Sequence, residues 1–123
     1  MQLSSGLSSS PLTVHANLWL ETDGTVVLSR WRVRLLEAIE ATGSIRAAAA
    51  QMKITYNLAW HRLDEMETAL GVRLVERQRG GLKGGHAQLT AAGHDYVARF
   101  NRFADEADAF ITRLFVESFG EGQ

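Results

Sequence analysis

Apolar residues change their spacing repeatedly along this chain, and each change marks an element. Val14-His15-Ala16-Asn17-Leu18-Trp19-Leu20 alternates loosely, Glu21-Thr22-Asp23-Gly24 supplies an Asp-Gly turn, and Thr25-Val26-Val27-Leu28 returns the chain. That pattern predicts an antiparallel hairpin. Ser29 is placed to cap a first helix whose apolar positions are Trp31, Val33, Leu35, Leu36 and Ile39, ending at Gly43.

The next stretch reads as two helices joined by a tight turn. Ser44 caps the first, and Ala47 to Ala50 present so little side chain that another helix can cross close by. Lys53 and Ile54 carry the turn, and Thr55 caps a second helix running to about Leu70. Ala59, Leu63, Met66 and Leu70 form its buried stripe. Tyr56, Asn57, Trp60 and His61 are left near its N-terminus on other faces, with Trp60 expected to pack against the first helix. In a helix-turn-helix the second helix is the one that lies in the major groove.

Gly71 stops that helix. Leu74-Val75 and Ala87-Gln88-Leu89 are short strand-like pieces, and Gly80-Gly81-Leu82-Lys83-Gly84-Gly85 connects them. Arg77, Arg79, Lys83 and His86 cluster in this hairpin, and glycines let a backbone approach a phosphate chain closely. Directly behind a helix-turn-helix, the hairpin reads as a wing. Thr90 then caps a long helix from Ala91 to about Phe119. Its residues Tyr96, Phe100, Phe103, Ala107, Phe110 and Leu114 advance in alternating steps of four and three, a heptad seam widened by Ile111, Phe115 and Phe119. The seam predicts self-association.

Composition fits one compact domain: 123 residues, 46% hydrophobic, with no cysteine. A disulfide framework, a thiolate metal site and a cysteine nucleophile are thereby excluded. Met1 to Pro11 is Ser-rich and lacks both basic residues and an apolar run, so residues 1–12 are expected to be a disordered tail rather than a signal peptide. No run of about eighteen apolar residues suggests a membrane span, and a cytoplasmic protein is expected. The net charge of −1 looks wrong for a nucleic-acid partner until the chain is divided. Residues 44–90 hold seven cations against four acids, an excess of three, whereas residues 91–123 hold three arginines against six acids. A basic face, not the total, is what DNA requires.

From Leu36 to Gly93 the chain resembles the winged helix-turn-helix domain of ModE-type molybdate-responsive regulators, and more distantly that of LysR-type regulators. The residues carrying the resemblance are Gly43-Ser44-Ile45, Ala47-Ala48, Ile54-Thr55-Tyr56, Ala59-Trp60, Asp64-Glu65-Met66, Leu74-Val75-Glu76-Arg77, Gly80-Gly81, Gly84-Gly85 and Leu89-Thr90 with Gly93. ModE-type proteins usually carry lysine at the position of Asn57, so the resemblance does not extend to base preference. Full-length ModE-type regulators continue into a β-rich molybdate-binding region, whereas this chain ends at Gln123, soon after the long helix. The resemblance therefore implies DNA binding and leaves molybdate binding by this chain unexpected.

Catalysis finds little support. His15, His61, His86 and His94 lie on different elements without metal-ligand spacing, and the glycine-rich loop lacks the Lys-Ser/Thr ending of a phosphate-binding loop. The expected protein is mostly α (α+β): a winged helix-turn-helix with an N-terminal β-hairpin over 13–90 and a long C-terminal dimerisation helix over 91–123. It is expected to be a homodimeric, double-stranded-DNA-binding transcriptional regulator, neither enzyme nor membrane protein, with no cofactor and no metal. By the resemblance, Thr55, Tyr56, Asn57 and His61 contact the major groove, Asn57 carrying the amide pair suited to adenine. Ser44 and Arg46 hold phosphate, aided by the helix N-terminus. Arg77, Arg79, Lys83 and His86 track the backbone or minor groove, and Tyr96, Phe100, Phe103, Ala107, Phe110 and Leu114 form the dimer interface. The alternative is a winged-helix protein-interaction module that no longer reads DNA.

Overall fold

Caps divide this chain into its helices. In the computed structural model, which describes residues 11–78 and 86–120, Ser29 accepts from the Arg32 amide and opens α1, Arg30–Thr42. Gly43 closes it in the left-handed conformation, its amide donating to the Ile39 carbonyl. Ser44 accepts from the Ala47 amide to start α2, Ile45–Gln51, and Thr55 accepts from the Leu58 amide to start α3, Tyr56–Leu70. Gly71 ends α3 as Gly43 ends α1. The Thr90 hydroxyl accepts from the Gly93 amide at the start of α4, Ala91–Phe119. Each of these caps satisfies a backbone group that a helix end would otherwise leave open.

Ahead of α1, β1 (Trp19–Thr22) and β2 (Thr25–Ser29) form an antiparallel hairpin. Its turn puts Asp23 at φ 51° and Gly24 at φ 78°, the double positive φ that matches the twist of a two-residue hairpin. The register shifts between Leu20 and Glu21, leaving an extra residue in β2. Val27 and Leu28 can therefore both be buried although they are adjacent. The first strand is shorter than its sequence suggested. Residues 14–18 take no part in it, because β2 runs straight into α1 at Ser29 and offers them no ladder partner.

The core gathers Val33, Leu35, Leu36 and Ile39 of α1 with Leu63 and Met66 of α3 and Leu74 and Val75 at the root of the second hairpin. That hairpin pairs β3 (Val75–Gln78) antiparallel to β4 (His86–Leu89), Val75 opposite Leu89 and Gln78 opposite His86. Beyond the core, backbone contacts fix its root. Ala87 donates to the Gly43 carbonyl, Leu89 to the Glu40 carboxylate and Thr90 to the Leu74 carbonyl, and the Thr90 hydroxyl donates to the Arg73 carbonyl. Gly93 completes the close approach. A Cβ there would be driven into the Leu74 carbonyl oxygen.

The described residues fall into two units. Residues 18–102 make the winged head, so α4 belongs to the head as far as Arg102. The other unit contains residues 11–17 and 103–120. Its helical segment exposes Phe103, Phe110, Leu114, Val116 and Phe119, with the Phe115 and Phe119 rings 5.5 Å apart. The heptad seam is divided by burial. Phe100 is only 2% exposed within the single chain and Tyr96 is half-buried, so Phe100 is a core residue, not part of a free seam. Phe103, Phe110 and Leu114 remain exposed, and Ala107 half-exposed. Step size alone could not separate these, since a core face and a partner face share one periodicity.

Candidate nucleic-acid interface

The reading head depends on how tightly α2 turns into α3. Ala48 and Ala49 are buried and bring only a methyl group each to the crossing. At the C-terminus of α2, the Lys53 amide donates to the Ala50 carbonyl and the Ile54 amide to the Ala49 carbonyl. This pair of bonds is a Schellman motif whose left-handed position is occupied by Lys53, at φ 60°. A side chain there costs about 1–2 kcal/mol relative to glycine, and in exchange an exposed lysine is placed between the two helices.

On α3, Ala59, Leu63 and Met66 face the core, while Leu70 is half-buried. The opposite side presents Asn57 and His61 to solvent, and the capping Thr55 is exposed just before the helix. Tyr56 and Trp60, one turn apart, are half-buried and meet edge to face with centroids 6.3 Å apart and planes at 82°. Each ring carries a cation: the Arg46 guanidinium lies 4.2 Å from the Tyr56 centroid, and that of Arg77 lies 4.6 Å from the Trp60 centroid. Trp60 thus links the reading helix to the wing.

Arg77 departs from its expected role. Its side chain is 14% exposed and bonds Glu67 at 2.9 Å, with Glu67 itself 13% exposed. Held by a carboxylate on one side and an indole on another, Arg77 is a strut of the wing root rather than a free phosphate contact. Glu67 is the residue that sequence reasoning missed. One oxygen takes Arg77, while the other accepts from the Leu74 amide at 2.7 Å and the Val75 amide at 3.1 Å. Glu40 was missed as well: it accepts from the Leu89 amide and faces His94 Nε2 at 3.5 Å. A faint signal existed for Glu67, an acid set at the end of an apolar stripe just before the Gly71 stop.

The remaining expected contacts sort by element. Ser44 is half-buried and its hydroxyl is engaged at the α2 cap. Arg46 is exposed on α2, and His86 is exposed at the start of β4 opposite Gln78. Arg79 and Lys83 lie outside the described residues. Ion pairing does not erase the basic excess of the segment. Arg62 pairs with Glu65 and Arg77 with Glu67, so each pair removes one charge of each sign. Among the described residues, Arg46, Lys53 and Arg73 are exposed without a carboxylate partner. No cluster of three or more potential metal ligands occurs among the described residues, and no described helix is long and apolar enough to cross a membrane.

Comparison with known proteins agrees with this architecture. The family model for bacterial regulatory helix-turn-helix proteins of the lysR family matches residues 31–94. The molybdenum transport protein ModE of Azotobacter vinelandii is 40% identical over 99 residues, covering 80% of this chain and 37% of that protein. The molybdenum-pterin-binding protein MopA of Rhodobacter capsulatus is 36% identical over 85 residues, covering 69% of this chain and 32% of that protein. This chain therefore spans about a third of the length of these relatives. Among solved structures, the CbnR DBD–DNA complex superposes with a TM-score of 0.55 at 24% identity, over 72% of this chain and 95% of that one. CbnR itself, a LysR family transcriptional regulator, gives 0.53 at 26% identity, over 70% of this chain and 28% of that one.

Proposed function

The chain belongs to the bacterial regulatory helix-turn-helix proteins of the LysR family, and from that premise we propose that it binds double-stranded DNA as a homodimeric transcriptional regulator. One observation carries the proposal. The N-terminal turns of α3 present Thr55, Asn57 and His61 to solvent, with exposed Arg46 and Lys53 on the elements just before them. An exposed polar helix start flanked by cations is what major-groove reading requires.

In this assignment Thr55, Asn57 and His61 face bases, and Ser44 and Arg46 face phosphate with Lys53 beside them. Arg79, Lys83 and His86 supply the backbone contacts of the wing. Arg77 supports that wing from within. The exposed Phe103, Phe110 and Leu114, with Ala107, form the dimer surface, since clustered exposed apolar side chains mark interaction sites. Pairing two copies would set two reading heads on an inverted repeat. The match covers only about a third of the relatives named for molybdenum, and molybdate binding is not assigned to this chain. The proposed site of action is the cytoplasm, with no catalytic step.

Selection of bound sequences from a random duplex library tests the proposal. Enrichment of a two-fold-symmetric motif, with affinity falling steeply as salt rises, is the expected result. Absence of salt-dependent duplex binding would refute it and turn attention to a protein partner for the same helix.

A further inference from the structure

Arg46, Tyr56, Trp60 and Arg77 form one row across α2, α3 and β3, with a cation at each end and the two rings between them. One end is locked: Arg77 is largely buried and bonded to Glu67. The other end is open: Arg46 is exposed. We propose that Tyr56 is a positioning residue whose ring, braced edge to face by Trp60, holds the Arg46 guanidinium ready for a DNA phosphate, rather than a group that touches DNA itself. The inference rests on the DNA-binding assignment above.

Chemistry favours this division of labour. A ring face, unlike a carboxylate, offers no lone-pair acceptor, so a guanidinium 4.2 Å above one keeps its N–H donors available. A carboxylate partner would consume them, as happens to Arg32, Arg62 and Arg77, each of which pairs with a glutamate. Arg46 makes no such pair among the described residues. Stacking also restricts a side chain that would otherwise lose its rotamer freedom on binding. The edge-to-face contact of Tyr56 with Trp60, at the i and i+4 positions of one helix face, ties that restraint to the wing root.

The test uses the full chain and a labelled random-sequence duplex, with anisotropy measured over a salt series. Tyr56→Phe keeps the ring and should bind within about two-fold of the unsubstituted protein. Tyr56→Leu should weaken binding about two- to five-fold and should add nothing once Arg46→Ala is present. A large loss in Tyr56→Phe would show a direct hydroxyl contact, and additive losses would show independent roles; either overturns the proposal. Should Tyr56→Leu fail to fold, judged by thermal melting, the unsubstituted protein still decides the matter by NMR. The Arg46 side-chain protons should be shifted upfield by the Tyr56 ring current, and an unshifted position would overturn the proposal. If the unsubstituted chain shows no salt-dependent duplex binding, the DNA-binding assignment fails, and the ring-current measurement judges the stacking separately.

Discussion

Removal of the Glu67 carboxylate, near the C-terminal end of α3, should loosen the wing while leaving the exposed N-terminal turn of that helix in place. In the folded head this side chain accepts from two backbone amides and from Arg77, at 2.7, 3.1 and 2.9 Å, and is 13% exposed. Glu67→Ala leaves Arg77 without its countercharge and two amides without an acceptor. Breaking a buried pair by removing one partner costs about 3–5 kcal/mol. Water can reach a strut that keeps some exposure and recover part of this, so a net loss of about 3 kcal/mol is expected. For a domain of this size that corresponds to a fall in Tm of roughly 12–24 °C. Glu67→Gln keeps one carbonyl acceptor for the amides and loses the ion pair, and should fall about midway. Urea unfolding monitored by tryptophan fluorescence reads both. A double-mutant cycle with Arg77→Ala isolates the pair and should give a coupling of at least about 1 kcal/mol. A Glu67→Ala loss below about 1 kcal/mol, or a coupling near zero, would refute the assignment of Glu67 as the brace of the wing.

Gly93→Ala should be more damaging than its single methyl suggests, about 3 kcal/mol or more, because the new atom meets the Leu74 carbonyl and not a movable side chain; chemical denaturation checks it. Lys53→Gly should stabilise the head by about 1 kcal/mol by relieving the left-handed position, read as a raised urea midpoint, while salt-dependent DNA affinity falls with the lost charge. Asn57→Ala should cost about 1–3 kcal/mol on a selected site and little on scrambled duplex; equal losses on both would remove Asn57 from base reading. Phe103→Glu combined with Phe110→Glu should yield a monomer in sedimentation at micromolar concentration, with weakened DNA binding. A monomeric unsubstituted chain would remove the dimer.

What the sequence discloses here is chiefly local. In capping, Ser29, Ser44, Thr55 and Thr90 reach only three residues along the chain, and Gly43 and Gly71 four, so each cap and stop is written in its own neighbourhood. The ends of the hairpin and the division of the long helix depend on other elements. Trp19 starts its strand because Ser29 ends the partner, and Phe100 lies in the core while Phe103 does not. The identity of Arg77 was plain, but its use was not. A cation in a glycine-rich hairpin suggests phosphate, and only the fold reveals that Glu67, ten residues earlier, has taken it. The exposed candidates Asn57 and His61 were legible because they interrupt an apolar helix pattern at a capped end.

Both strands of the wing are fastened at their roots to different helices: β3 begins on the Glu67 carboxylate of α3, and β4 hangs from the Gly43 carbonyl and the Glu40 carboxylate of α1. Helix and hairpin consequently have their mutual geometry set when the chain folds, and the loss of freedom at the hairpin base does not recur on association. Amide exchange at Leu74, Ala87 and Leu89 should be slow already in the free protein and little slowed further by duplex.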